Sequence, residues 1–152
     1  MKHKQIVNTI EEFAPVALAE AWDNLGLMIG NLNDECSGVI VALDLTKDVV
    51  KQAVEQNCNL IVTHHPFFFS AIKSINTAES KGEIIRETLK NGLTVYSAHT
   101  NLDECENGLC MTLATLLGGE NLCPNGVGVL CDIKAQSLED FAKHVAATLK
   151  DD

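Results

Sequence analysis

The stretch Asn59-Leu60-Ile61-Val62-Thr63-His64-His65-Pro66 decides the fold, because an apolar run ends abruptly in two histidines and a proline. A short continuous apolar run of this kind is typical of a strand buried on both faces. Two similar runs, Val39–Leu43 and Leu93–Ala98, lie before and after it along the chain. The spacing of the three runs leaves room for a crossover helix in each interval, which indicates a largely parallel sheet.

The intervals carry the expected helical patterns. Thr46 can cap a helix that runs to about Gln56, and Asn91-Gly92 can end a second helix over about Lys81 to Lys90. We therefore expect a single α/β domain over residues 1–152, with a largely parallel sheet and crossover helices. A last helix, capped by Ser137, has no strand after it, which in a doubly wound fold indicates the front portion of a longer chain. The other expected elements are helices over 5–13 and 108–117 and strands over 26–30 and 126–133.

Composition narrows the classes of function. Hydrophobic residues make up 46% and charged residues 21% of the 152 residues, which argues against disorder. Eleven basic and twenty-one acidic residues give a net charge of −10, which disfavours nucleic-acid partners. There is no apolar run of the roughly 20 residues that span a bilayer and no signal-peptide core, so we expect a cytoplasmic protein with reduced cysteines.

Imidazole-bearing turns follow two of the expected strands. Thr63-His64-His65-Pro66 comes directly after one strand, and His99-Thr100-Asn101-Leu102-Asp103 comes directly after the next. Ligands of open parallel sheets bind beyond the carboxyl ends of the strands, so the side chains converge if the two strands are neighbours. Histidine nitrogen with carboxylate oxygen suits Zn, Mn, Fe, Co or Ni. The pattern predicts a metal site made by His64, His65 and Asp103, with His99 as a further candidate.

Each candidate also has a structural interpretation. His64 can be a hydrogen-bonded core histidine and His65 a surface residue, while Asp103 can be a turn residue or a helix N-cap. His99 can orient a ligand instead of being one. Asp44, after the Val39 run, is a candidate pocket carboxylate, although a role at the start of the next helix is favoured. Trp22-Asp23-Asn24 is interpreted as a packed turn without chemistry. The Phe67-Phe68-Phe69 run is interpreted as packing in preference to substrate stacking, although one of its rings can wall a pocket.

Several segments together resemble one family, the GTP cyclohydrolase type-two homologues, also called dinuclear metal-centre or Ngg-interacting-factor-three-like proteins. The resemblance covers nearly the whole chain in the family's order, and the histidine-proline motif is its most specific part. It is carried by Ala21-Trp22-Asp23-Asn24-Leu25-Gly26-Leu27, Ala42-Leu43-Asp44-Leu45-Thr46, Leu60-Ile61-Val62-Thr63-His64-His65-Pro66, Tyr96-Ser97-Ala98-His99-Thr100-Asn101-Leu102-Asp103 and Gly126-Val127-Gly128.

The resemblance implies a two-metal site in a crevice of an α/β fold. The family's paired histidines fall on His64 and His65 and its aspartate on Asp103, while His99 matches a position near the metals. Family members commonly form toroidal hexamers, and a C-terminal histidine and glutamate complete their site. No residue here matches that pair, since His144 lies in a different setting. The chain is then a fragment, a weaker metal binder, or a subunit whose site another chain completes.

Three functional hypotheses remain open from the sequence. The leading hypothesis is a metal-dependent hydrolase whose full-length form acts on a nucleotide or other phosphorylated small molecule; no catalytic residue is assigned. The alternative is a non-catalytic metal-binding protein with an assembly or regulatory role. The third is a fragment without function, kept folded by its core, for which exposed sheet edges and aggregation are expected.

Overall fold

The computed structural model describes residues 1–150, and the chain divides into two compact units, Met1–Leu102 and a second that begins at Asp103. We describe each unit by itself. The elements of the first unit are α1 (His3–Phe13), β1 (Gly26–Ile29), β2 (Val39–Ala42), α2 (Lys47–Glu55), β3 (Leu60–Thr63), α3 (Ser80–Lys90), β4 (Thr94–Ser97) and α4 (Thr100–Glu104). The boundary between the two units falls within α4. A short 3-10 helix lies at Val16–Leu18.

The first unit is built on a four-stranded sheet with the order β1-β4-β3-β2. Strands β2, β3 and β4 are parallel, as the sequence predicts, while β1 pairs antiparallel with β4. Strands β3 and β4 are direct neighbours, with Leu60 opposite Thr94 and Thr63 opposite Ser97. The adjacency on which the site prediction depends is therefore present.

Helices cover the two faces of this sheet unequally. One face packs against α2 and α3 in a core that joins strand residues Ile61 and Val95 to Val50, Ile84 and Ile85 of the helices. The other face carries a smaller cluster, in which Val7 of α1 packs with Tyr96 and Ala98. The crossover helices α2 and α3 thus share the larger core, and α1 covers the middle of the opposite face.

Strand β2 differs from its predicted environment. Its continuous apolar run predicts burial on both faces, but the Val41 side chain is 79% exposed and Leu43 is also exposed. The prediction is wrong for this strand because β2 lies at the edge of the sheet and α1 packs nearer to Tyr96 of β4. Only the face towards α2 and α3 is covered at β2, where Ile40 packs against the larger core.

Tyr96 links α1 to the sheet and provides a spectroscopic test of this packing. Its side chain is 1% exposed, and its hydroxyl donates to Glu11 Oε1 at 2.8 Å. Burial, together with the hydrogen bond to Glu11, raises the pKa of the phenol far above its ordinary value. Because the folded state favours the neutral phenol, its contribution to stability is complete below about pH 10 and is lost as pH rises through the folded-state pKa.

Tyr96 is the one tyrosine of the chain, so its ionisation can be followed by absorbance near 295 nm without assignment. We expect no phenolate in the folded protein at about pH 10.5, and full titration near pH 10 in denaturant. Glu11→Gln keeps an acceptor but removes the charge, so the phenolate should form at lower pH in that variant. Titration of the folded wild type near pH 10 would contradict the packing.

The second unit consists of α5 (Leu109–Leu116), β5 (Glu120–Pro124), β6 (Val129–Asp132) and α6 (Leu138–Leu149). Ser137 caps α6 by accepting from the Asp140 backbone N–H, as predicted. Strand β5 was not predicted; it pairs antiparallel with β6 through a turn in which Gly126 has φ +58°. No helix within residues 1–150 has the length and apolar character needed to cross a bilayer.

Candidate metal centre

Three histidines meet at the edge where the parallel strands end. His64 and His65 follow β3 directly, and His99 comes two residues after β4. The centroid of the His64 ring lies 5.0 Å from that of the His65 ring and 5.1 Å from that of the His99 ring. One ring nitrogen of each residue lies within 4.8 Å of the others. The structure thus joins two strand exits that are more than thirty residues apart in sequence.

Backbone and hydroxyl contacts fix the turn that carries the paired histidines. The ladder continues past β3, with the His65 N–H donating to the Leu43 carbonyl at 3.0 Å. The buried hydroxyls of Thr63 and Ser97 lie 2.7 Å apart, and Thr63 Oγ1 also donates to the His65 carbonyl at 3.0 Å. The two histidines therefore leave the sheet from a strand end with satisfied polar groups.

Each imidazole is oriented through the same ring atom. His64 Nδ1 lies 3.1 Å from the carbonyl oxygen of Ala98, which can only accept, so this nitrogen donates. His65 Nδ1 contacts a carboxylate oxygen of Asp44, and His99 Nδ1 contacts one of Asp23, both at 2.8 Å. In the neutral rings this leaves the lone pair on Nε2. Metal-binding histidines are commonly held in this way, with the other ring nitrogen donating to a carboxylate or carbonyl.

Asp23 is the most constrained of these orienting groups. Its side chain is fully buried, and its Oδ2 accepts from the Thr100 hydroxyl at 2.6 Å and from the Thr100 N–H at 3.2 Å. Its Oδ1 accepts from His99 Nδ1 and from the Asn24 N–H. Burial alone would raise the pKa of this carboxyl, but the hydrogen bonds outweigh it and hold the pKa below its ordinary value.

Asp44 orients His65 in a more open setting. Its side chain is 55% exposed and that of His65 is 48% exposed, so water competes for the contact. The favoured sequence interpretation of Asp44 was a role at the helix start, but Thr46 caps α2, with its hydroxyl accepting from the Val49 N–H. Asp44 instead contributes to the candidate site through His65.

The Trp22-Asp23-Asn24 segment was interpreted as a packed turn without chemistry, and that interpretation missed Asp23. The contact between Asp23 and His99 joins residues 76 positions apart, so no local pattern reveals it. The Trp22 ring also packs edge-on against the His99 ring. Its centroid lies 6.0 Å from the centroid of the Phe69 ring. The one available signal was the presence of this segment among the motifs that carry the family resemblance.

Asp103 lies on α4, four residues after His99 along the chain, and begins the second unit. Its role as a metal ligand stays a prediction. In the second unit, burial raises the pKa of the Cys105 and Cys110 thiols, and the charge of Asp103 adds to the effect. Ionisation of both thiols therefore needs a higher pH than that of an ordinary cysteine.

The triad could hold a metal ion, judged by its donor atoms. Three neutral imidazoles are ligands that Zn and the neighbouring transition metals accept, at about 2.0–2.1 Å each for Zn. Nitrogens around one tetrahedral Zn ion lie about 3.4 Å apart, and the three ring nitrogens here, all within 4.8 Å of one another, are near that spacing. Two ions about 3.5–4 Å apart could also divide the three nitrogens between them. The donor set therefore fits a transition-metal ion.

Comparisons with known proteins agree with this arrangement of fold and motifs. A curated relative in Clostridium acetobutylicum, called GTP cyclohydrolase 1 type 2 homolog, is 42% identical over 118 residues, which are 78% of this chain and 44% of the relative. A solved Bacillus cereus protein related to NIF3 is 37% identical, with a TM-score of 0.78 over 81% of this chain and 34% of that one. The Staphylococcus aureus protein SA1388 has a TM-score of 0.89 at 26% identity, over 99% of this chain and 66% of that one.

The chain spans less than half the length of the curated relative that it matches. The family model described as Duf34/NIF3 (NGG1p interacting factor 3) matches residues 1–152. This match covers the histidine-proline turn, the Trp-Asp-Asn segment and the strands that position them. The chain therefore belongs to the Duf34/NIF3 family.

Proposed function

We propose that His64, His65 and His99 hold divalent metal and that the intact protein is a metal-dependent hydrolase of nucleotides or other phosphorylated small molecules. The observation that carries this proposal is the common orientation of the three rings, each with Nδ1 at a protein acceptor. Three histidines held in this manner on two neighbouring strand exits are better explained by a shared ligand than by packing, since His65 and His99 reach solvent.

Two finer parts of the proposal rest on the family. A second ion, and Asp103 as its ligand, follow from the residues that match the family motif. The family resemblance also supports a homo-oligomeric assembly, with the hexamer as its expected form, and we propose the cytoplasm as its location. The metal would be one of Zn, Fe, Mn, Co or Ni, the ions that suit histidine nitrogen and carboxylate oxygen.

A bound divalent ion would supply an acidified water and a positive centre for a phosphoryl oxygen. The chain's own contribution is positioning. Asp23 and the Ala98 carbonyl keep a proton on Nδ1 of His99 and His64, which directs the Nε2 lone pairs away from those acceptors. The exposed Trp22 ring packs edge-on beside His99, and the Phe69 ring lies next to Trp22.

A substrate screen tests the hydrolase proposal. Nucleotides and phosphoesters are incubated with metal-loaded protein in Mn²⁺ or Zn²⁺, and phosphate or base release is followed. We expect turnover that is lost in His64→Ala. Turnover that survives in this variant would exclude the site, and stoichiometric metal without any turnover would favour the non-catalytic assembly role.

A further inference from the structure

A cavity of about 340 Å³ opens beside His65 and is not used by the metal proposal. Asp44 and His65 line one side of it, and Ser80 and Lys81 of α3 line another. The volume is near the lower end of the roughly 300–1,000 Å³ that is common for small-ligand sites. A small ligand in this cavity would contact His65, the most exposed histidine of the triad.

Lys81 is the cation of this cavity, and no acidic partner accounts for its position. Its ammonium lies 5.0 Å and 5.4 Å from the ring centroids of Phe67 and Phe68. Such cation–π contacts favour this location of the charge. Among the residues that the structure describes, Lys81 forms no ion pair, whereas the nearby Lys47 and Lys51 pair with glutamates. Lys81 also lies in the first turn of α3, where the helix dipole disfavours a cation.

The charges and surfaces of the cavity select the chemistry of its occupant. Asp44 is the one carboxylate that lines it, and its oxygen already accepts from His65 Nδ1. With metal at His65, the positive charges of the ion and of Lys81 exceed the charge of Asp44. Leu45 and Ile84, both buried, and the Phe67 ring supply apolar walls. The complementary ligand carries an anionic group and an apolar or planar body.

We propose that this cavity is the substrate subsite and that Lys81 binds the phosphate group of a small phosphate ester whose body lies against Phe67. This inference rests on the proposed function, because it makes the ligand of the cavity the substrate of the metal site. The anionic oxygens of a phosphate can accept charge-assisted hydrogen bonds from the Lys81 ammonium and also contact the neighbouring cation, which a neutral ligand does less strongly. Lys81 is a binding residue in this assignment and takes no part in holding the metal.

Calorimetric titration with phenylphosphonate, an analogue with a ring and no hydrolysable ester, tests the subsite on the metal-loaded full chain. We expect wild type to bind it, and Lys81→Met to bind it about 3- to 10-fold more weakly, the loss of one partly solvated charge contact. Lys81→Arg should restore most of the affinity. Lys51 is an exposed lysine of α2 that lies outside the cavity, so Lys51→Met is the matched control. Its affinity for phenylphosphonate should stay within about twofold of that of wild type.

Metal content, measured separately in every variant, distinguishes failure of the subsite from failure of the proposed function. Equal affinity in Lys81→Met and wild type, or no binding by metal-loaded wild type, overturns the subsite while the metal site stands. If wild type takes up no metal, the proposed function fails, and the same titration on metal-free protein decides the subsite. If metal-free wild type binds phenylphosphonate and Lys81→Met binds it more weakly, the subsite is supported. Equal binding by the two metal-free proteins, or no binding by metal-free wild type, overturns it.

Discussion

Replacing His64 with alanine is expected to weaken Zn²⁺ binding by more than the about 10–100-fold that loss of an orienting partner costs, because the variant loses a ligand itself. His64 is the central ring of the triad, within about 5 Å of both other rings. Competition with a chromophoric chelator measures the change. A His64→Ala protein that keeps the wild-type affinity would remove the triad from consideration.

The control for this variant is His144→Ala. His144 is an exposed histidine on α6, so its removal matches the loss of one imidazole without touching the triad. We expect its Zn²⁺ affinity to equal that of wild type. An equal loss in the two variants would indicate adventitious binding by surface histidines.

Asp23→Asn is expected to weaken metal binding by about 10–100-fold although Asp23 has no place among the ligands. Both oxygens of Asp23 accept hydrogen bonds, one from His99 and the other from Thr100. An asparagine has one side-chain oxygen, so its NH₂ group takes the place of the other oxygen and faces either His99 or Thr100. If it faces His99, Nδ1 becomes the acceptor and the ring proton moves to Nε2, which blocks the ligand lone pair.

Asp44→Asn is the matched comparison for Asp23→Asn. Asp44 makes one contact to His65 in a solvent-exposed setting, and water can replace its oxygen. We therefore expect a smaller loss of affinity than in Asp23→Asn, measured by the same chelator competition. A larger loss in Asp44→Asn would show that burial does not set the importance of the two carboxylates.

The sequence predicts the strand exits because the signal is local. An apolar run that ends in His64-His65 and another that ends before His99 specify two strands, and parallel pairing brings their carboxyl ends together. Thr46 and Ser137 are predicted as helix caps for the same reason, since a cap depends on residues within one turn. These features need no knowledge of distant contacts.

The features that the sequence did not predict depend on contacts between distant residues. The exposure of Val41 follows from the position of β2 at the sheet edge, which no property of the run itself encodes. The antiparallel pairing of β1 is likewise set by its partner β4. Asp23 orients His99 across 76 residues, so the Trp-Asp-Asn segment gives no sign of chemistry when considered alone.

The most direct test of the metal site is the metal-to-protein ratio of tag-free protein, measured by elemental mass spectrometry after loading and dialysis. The ratio is measured beside a His64→Ala/Asp103→Ala variant, which removes one residue of the triad and the further ligand predicted from the family. We predict at least one transition-metal ion per chain in wild type and none in the variant. No metal in loaded wild type, or the same ratio in both proteins, would contradict the assignment of a metal centre to these residues.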